Sequence, residues 1–205
     1  MPQTPVPEIV VERLPLYLRM LNFLKREGKV ITSSQELSAR LGFTSAQIRK
    51  DLSYFGEFGK QGTGYNIDFL EKQLRQILKV DRSWDVALIG AGDLGRALVH
   101  YRGFTTENFR LVAIFDSASQ KIGTMVGELT VQSMNDLPRV VQEKNIKVVI
   151  LAVPAEVAQQ VANKLVELGV QAILNYAPIT LAVPENVRVY YIDPVTGLQS
   201  MAYYL

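Results

Sequence analysis

Leu14, Leu18, Leu21 and Leu24 recur about every 3.5 residues between Val10 and Glu27, a period that predicts an amphipathic helix ended by Gly28. Ser33-Ser34-Gln35-Glu36 and Thr44-Ser45-Ala46-Gln47 each have the form of a capping box. The first opens a short helix with Leu37 and Leu41 inward. The second follows the Gly42-Phe43 turn and opens a helix with Ile48, Leu52 and Phe55 at i, i+4 and i+7. Residues 56–65 hold four glycines, which is turn or hairpin chemistry. A further amphipathic helix carries Phe69, Leu70, Leu74, Ile77 and Leu78, and the polar stretch Lys79–Ser83 marks a domain boundary. From Trp84 the rhythm changes. Val86–Ile89, Leu111–Phe115, Val148–Leu151 and Ala172–Leu174 are continuous apolar runs, with helical stretches at Leu94–Tyr101, Leu137–Lys144 and Val157–Leu168 between them. Strands buried on both faces and alternating with helices predict a parallel α/β sheet.

Composition narrows the classes. The chain is 48% hydrophobic and 20% charged, an ordinary globular balance. No apolar run is long enough to span a membrane. Met1–Val10 carries three prolines and an acid where a secretion signal has a basic and then an apolar region, so a cytoplasmic location is expected. The absence of cysteine excludes disulfides and thiolate chemistry. The single histidine, His100, excludes a His-rich metal site, and no metal is expected. The net charge of +2 is unevenly spread: residues 1–80 hold 12 Lys/Arg against 8 Asp/Glu, whereas residues 81–205 hold 10 against 12. That asymmetry points the first part toward a polyanion.

Two capped helices joined by a turn match helix-turn-helix spacing. The second helix turns Ile48, Leu52 and Phe55 inward and leaves Ser45, Gln47, Arg49, Lys50, Ser53 and Tyr54 to reach base edges and phosphates. The glycine-rich segment behind it would form a wing with Lys60 at its tip. A three-helix satellite domain with solvated basic residues is the alternative.

The second constellation is Gly90-Ala91-Gly92-Asp93-Leu94-Gly95, a G-x-G-x-x-G set between a buried strand and a helix. Gly90 allows the tight turn, Gly92 the approach of a pyrophosphate, and Gly95 close packing of helix on strand. Asp116 ends the next strand, 21 residues after Gly95, where a carboxylate accepts the adenine-ribose hydroxyls and favours NAD(H) over NADP(H). Asp93 is an awkward residue in a phosphate loop unless it points away, and Arg96, one turn into the helix, either offsets it or is solvated. Val153, Pro154, Asn175, Ala177 and Pro178 follow strand ends, where ligands bind in such sheets. A hydride-transfer enzyme needs an acid/base at the nicotinamide. Tyr176 is the one weak candidate, so binding without chemistry is the better reading. A small NAD-dependent oxidoreductase with a basic assembly domain is the runner-up, and a nucleotide- or CoA-binding regulatory subunit is a third class.

Tyr17-Leu18-Arg19, Arg49-Lys50-Asp51-Leu52-Ser53-Tyr54-Phe55-Gly56, Gly62-Thr63-Gly64-Tyr65-Asn66, Gly90–Gly95 and Leu174-Asn175-Tyr176-Ala177-Pro178 together resemble the Rex family of bacterial redox-sensing transcriptional repressors. The resemblance runs from about Val11 to the C-terminus. It implies a winged-helix DNA-binding domain over residues 1–80, a Rossmann NAD(H)-binding domain over 81–192, and a C-terminal helix over 193–205, formed from about Gly197, that is exchanged between the subunits of a homodimer. It implies that NADH releases the protein from an inverted-repeat operator on double-stranded DNA, so that the protein reports the NADH/NAD+ ratio. Arg19, Tyr101 and Asp193 are the expected members of the switch. Gln61 and Asp93 depart from the family pattern, which commonly has a basic residue and Asn there, and Lys60 is the expected substitute in the wing.

Overall fold

Side chains fix the starts of the N-terminal helices. The computed structural model describes residues 6–59 and 63–205. Pro7 leads into α1 (Glu8–Arg26), and β1 (Ile31–Thr32) follows it. Ser33 Oγ accepts the Glu36 N–H at 3.1 Å to start α2 (Ser34–Leu41). Thr44 Oγ1 accepts the Gln47 N–H at 3.1 Å to start α3 (Ser45–Ser53). After β2 (Tyr65–Asn66), Asn66 Oδ1 accepts the Phe69 N–H at 2.9 Å and starts α4 (Ile67–Ile77). Each cap satisfies a helix N–H that would otherwise need water. The stripes of the four helices then meet in one core: Leu14, Leu21 and Leu24 from α1, Leu37 from α2, Ile48 and Leu52 from α3, and Leu70 and Leu74 from α4. Burying a side chain of this size contributes about 1.5–3 kcal/mol.

The glycine-rich segment differs from the simple hairpin its composition suggested. Its far end, β2, pairs antiparallel with β1, which precedes α2, so that Ile31 lies opposite Asn66 and Thr32 opposite Tyr65. Phe58 in its near arm packs on the helical core. Lys60 and Gln61 lie outside the described residues.

The chain divides into two compact units, Met1–Arg82 and Ser83–Leu205. In the second, β3 (Trp84–Ile89), α5 (Asp93–Val99), α6 (Gly103–Thr106), β4 (Phe109–Asp116), β5 (Met125–Val126), β6 (Leu129–Ser133), α7 (Leu137–Glu143), β7 (Val148–Leu151), α8 (Ala155–Glu167), β8 (Ala172–Asn175), β9 (Arg188–Tyr191) and α9 (Pro194–Ala202) follow one another. The sheet order is β5-β6-β4-β3-β7-β8-β9, parallel throughout except for β5. Alternate residues of β3 face opposite layers. Ala87 and Ile89 join the core that includes Leu137 of α7 and Leu165 of α8, while Val86 and Leu88 join Leu98 of α5. Because the chain leaves β3 toward β4 on one side and returns to β7 on the other, the switch of direction opens a crevice at the carboxyl end of β3.

The last helix begins at Pro194, not near Gly197. Asp193 Oδ1 accepts the Val195 N–H at 2.9 Å, and Pro194 occupies the first turn, where its missing N–H costs nothing. Asp193-Pro194 is therefore a helix start. No helix is long and apolar enough to cross a membrane.

Candidate functional sites: a recognition helix and a dinucleotide crevice

The outward face of α3 is tied to its neighbours more firmly than its charge suggests. Arg49 is exposed, yet its Nη1 donates to Ser34 Oγ at 3.0 Å, anchoring the side chain on the first turn of α2. Burial pushes the Tyr65 phenol up, and the Arg49 charge opposes that. Lys50 is exposed, and its ammonium has no partner among the described residues. Ser53 Oγ donates back to the Lys50 carbonyl at 2.8 Å, so its hydroxyl can only accept from a ligand. Ser45, Gln47 and Tyr54 are half-buried at the rim of the helix. The structure thus brings six of the seven expected DNA-facing residues to one helix and turn, and the seventh, Lys60, is not described.

The periodicity did not show what Asp51 meets. It is 2% exposed, on the inner side of α3. Arg13 of α1 donates to it from Nε and Nη2, both at 2.7 Å, and the Tyr17 hydroxyl donates to Oδ2 at 2.5 Å. The Asp51 bond raises the Arg13 guanidinium further, against burial, and burial together with Asp51 pushes the Tyr17 phenol up. Phe43 from the turn packs edge-on against Tyr17 at 5.9 Å and lies under the Arg13 guanidinium at 5.8 Å. The helix bearing Arg49 and Lys50 is therefore clamped to α1 by a buried ion pair.

In the second unit, Gly90 and Gly95 are required by space. Gly90 has φ +104°, and a Cβ there would strike the Ala152 carbonyl after β7; a Cβ on Gly95 would strike the Gly90 carbonyl. Gly92 faces open space, leaving its backbone approachable. Ala91 is buried in the turn, Asp93 is the exposed first residue of α5, and Leu94 is exposed behind it. Asp93 therefore points out of the loop, where a carboxylate also suits the start of a helix.

Asp116 closes the loop from β4, but not as the open acceptor expected for two ribose hydroxyls. Its Oδ2 already accepts from Ala91 N–H at 2.8 Å and Lys121 Nζ at 3.0 Å, and its Oδ1 accepts from Ala118 N–H at 2.9 Å. A carboxylate has about four acceptor positions, so three are taken and one is left. Burial pushes its pKa up, and the Ala118 N–H, Lys121 and the Ala91 N–H outweigh that, holding it below the ordinary carboxylate range. A depressed carboxyl adds stability above its unfolded-state pKa of about 3.9, and the contribution is lost as pH falls through the folded value. Acid titration of the ligand-free protein should thus show stability falling below about pH 4. Asp116→Asn should make that fall shallower, and an unchanged acid limb would contradict the assignment.

The other strand ends line the same edge. Val153 is half-buried and Pro154 is the exposed residue before α8. Asn175 is 1% exposed and builds the loop instead of facing the crevice: its Nδ2 donates to the Ala177 and Ile179 carbonyls, and its Oδ1 accepts the Ala177 N–H, all at 3.0 Å. Ala177 is buried and Pro178 exposed. Burial raises the half-buried Tyr176 phenol, and Tyr101 adds to the rise. Tyr101 is 60% exposed and packs edge-on against Phe104 at 5.1 Å. Asp193 uses its carboxylate to cap α9, and Arg19 is exposed on α1. Among the described residues no three or more His, Asp or Glu cluster as a metal site would require.

Comparison with known proteins assigns the family. The model "Putative DNA-binding protein N-terminus" matches residues 5–53, and "CoA binding domain" matches residues 81–179. The redox-sensing transcriptional repressor Rex of Chloroflexus aurantiacus is 55% identical over 97% of this chain and 94% of its own. The chain belongs to the Rex family. Rex of Brevibacillus brevis is 43% identical over 98% of the chain and 97% of its own length. RSP, a Rex-family repressor solved in complex with beta-NAD+ and operator DNA, is 36% identical over 98% of this chain and 93% of its own, with a TM-score of 0.93. The RSP complex with beta-NADH gives 34% identity over 98% of this chain and 94% of its own, with a TM-score of 0.89. The Rex relatives are named as repressors, not enzymes.

Proposed function

We propose that this Rex-family chain is a redox-sensing repressor that binds operator DNA through α3 and the segment behind it, and leaves the DNA when NADH binds at the carboxyl end of β3. The reading is carried by one observation. A repressor solved on operator DNA with beta-NAD+ superposes over nearly the whole chain, and this chain has both a basic recognition helix and a glycine loop that only glycine fits. The protein acts as a homodimer in the cytoplasm, with domains at 1–80, 81–192 and 193–205. The occupant of the exposed Val195, Leu198, Met201, Tyr203 and Tyr204 surface is the partner subunit, since α9 has no buried residue of its own. A two-fold dimer calls for an inverted-repeat operator. Tyr101, Asp193 and Arg19 form its switch.

The protein needs no chemistry of its own to work this way. Its residues hold the two phosphates on loop N–H groups and read the ribose at the end of β4. They meet the nicotinamide with Val153, Pro154 and the Asn175–Pro178 loop. The test is an operator duplex, selected by the protein from a random pool, titrated with NADH at fixed NAD+. Progressive release is expected, and operator affinity indifferent to NADH would reject the reading. Turnover of small alcohols or aldehydes would favour the oxidoreductase alternative. In the same assay Arg49→Ala should weaken binding by about 1–3 kcal/mol, and Lys50→Ala should reduce the salt slope by about 1. Wild-type binding by Arg49→Ala at several salt concentrations would remove that residue from the interface.

A further inference from the structure

Two serines stand at the start of α2, and only one of them caps it. Ser33 takes the Glu36 N–H, so the Ser34 hydroxyl is free of that duty. Ser34 is nevertheless only 6% exposed, and a buried hydroxyl needs a partner. That partner is Arg49 of α3, whose Nη1 donates to Ser34 Oγ at 3.0 Å. The one further side-chain contact of this hydroxyl among the described residues is long, 3.5 Å to Gln35 Oε1. Both ends of the Arg49–Ser34 bond stand on elements that are themselves held. Glu36, in the same turn as Ser34, accepts from Thr32 Oγ1 at 2.9 Å and pairs with Lys29, which ties α2 to β1 and to the chain before it. Asp51, close after Arg49 on α3, ties that helix to Arg13 and Tyr17 of α1. Lys50, beside Arg49, is exposed and has no such tether among the described residues.

We propose that Ser34 is a positioning residue for sequence readout: it holds the Arg49 guanidinium in the orientation that meets a base edge, and so sets Arg49, which reads sequence, apart from Lys50, which meets phosphate. The inference rests on the operator-binding reading above and deepens it. A guanidinium reads a base with two N–H groups aimed in one plane, whereas a point charge suffices for a phosphate. Tethering one N–H to Ser34 leaves the rest of the fork unspent. It also removes rotamer freedom before the DNA arrives, so less is lost on binding. A released Arg49 keeps its charge. It would meet the phosphates of any duplex as before and lose only the contact that depends on aim. Ser34 therefore acts on specificity and hardly at all on general affinity for DNA.

The test compares two duplexes of equal length at several salt concentrations: the one that the full-length protein selects from a random pool, and a scramble of it. Ser34→Ala removes the hydroxyl and leaves the Ser33 cap in place. It is expected to weaken binding of the selected duplex by about two- to tenfold, the cost of one unrestrained long side chain. Binding of the scramble, the salt slope and the melting temperature should stay at their wild-type values. Arg49→Ala should weaken the selected duplex by more, because the contact itself is lost. Adding Ser34→Ala to Arg49→Ala should then cost nothing further. Additive losses in the double variant would show that Ser34 acts without Arg49 and would overturn the assignment. So would wild-type binding of the selected duplex by Ser34→Ala, an equal loss on both duplexes, or a fall in melting temperature that accounts for the loss. A loss in Arg49→Ala with none in Ser34→Ala removes this inference and leaves the operator reading standing. The operator reading fails differently: the wild-type protein then selects no duplex from the pool, and the role of Ser34 falls with it.

Discussion

Asp51→Ala should cost the N-terminal unit about 3–5 kcal/mol and abolish operator binding at temperatures where the second unit stays folded. The magnitude follows from what the change leaves behind. Asp51 is buried, and its two oxygens take the Arg13 guanidinium in a bidentate grip and the Tyr17 hydroxyl besides. Removing the carboxylate strands a half-buried cation and a buried phenol with no acceptor, and that penalty exceeds the net worth of the intact pair. Arg13→Met/Asp51→Leu offers the sharper contrast. An apolar replacement of the whole pair is often neutral or stabilising, so the double variant should melt within about 1 kcal/mol of wild type once Tyr17→Phe is added. If it then binds operator normally, the clamp serves stability alone. If binding stays weak, the clamp also sets the position of α3. Thermal unfolding with gel shifts on the same samples separates the two, and an Asp51→Ala variant with wild-type melting would refute the prediction.

The same network shows where sequence reading stopped. Helices α1 to α4 were legible because Ser33, Thr44 and the leucine stripes act within a few residues of one another, and β3, β4, β7 and β8 because strands covered on both faces are apolar throughout. Asp51 stands on the inner face beside Ile48 and Leu52, and Arg13 and Tyr17 lie one turn apart on α1. A charge on an inward stripe demands a partner on another inward stripe, so the signal was present, but no period within one helix shows which partner. β9 was missed for the opposite reason. It is an edge strand with Tyr190 and Tyr191 exposed, and it lacks the continuous apolar run of its neighbours. β5 and β6 are short and mixed in polarity. At the site, the glycines and the position of Asp116 were readable from spacing, whereas the bond from Ala91, 25 residues away, and the claim of Lys121 on the same oxygen arise only in the folded chain. Asn175 was read as a ligand contact because it ends a strand, yet its loop consumes every bond it makes.

Saturating NADH should lower operator affinity by roughly 150-fold, a coupling of about 3 kcal/mol, and operator DNA should lower NADH affinity by the same factor. The two sites belong to different compact units of one chain, so neither ligand can act on the other except through an equilibrium that both bias. NADH must then bind the DNA-incompetent arrangement more tightly, and thermodynamic reciprocity fixes the return effect. NAD+ differs from NADH by a hydride and a ring charge, so the group that distinguishes them lies at the nicotinamide end. We propose that Val153, Pro154 and the loop that Asn175 shapes supply that group at the carboxyl edge of the sheet. Asp193→Asn isolates the charge in the proposed switch, since Asn caps α9 as well as Asp does while removing the ion. With Tyr101→Phe it should shrink the coupling several-fold without changing the melting of α9. Reciprocal titrations, NADH with and without operator and operator with and without NADH, read that coupling twice. Unequal factors would contradict a two-state protein, whereas equal factors untouched by either variant would place the relay on other residues.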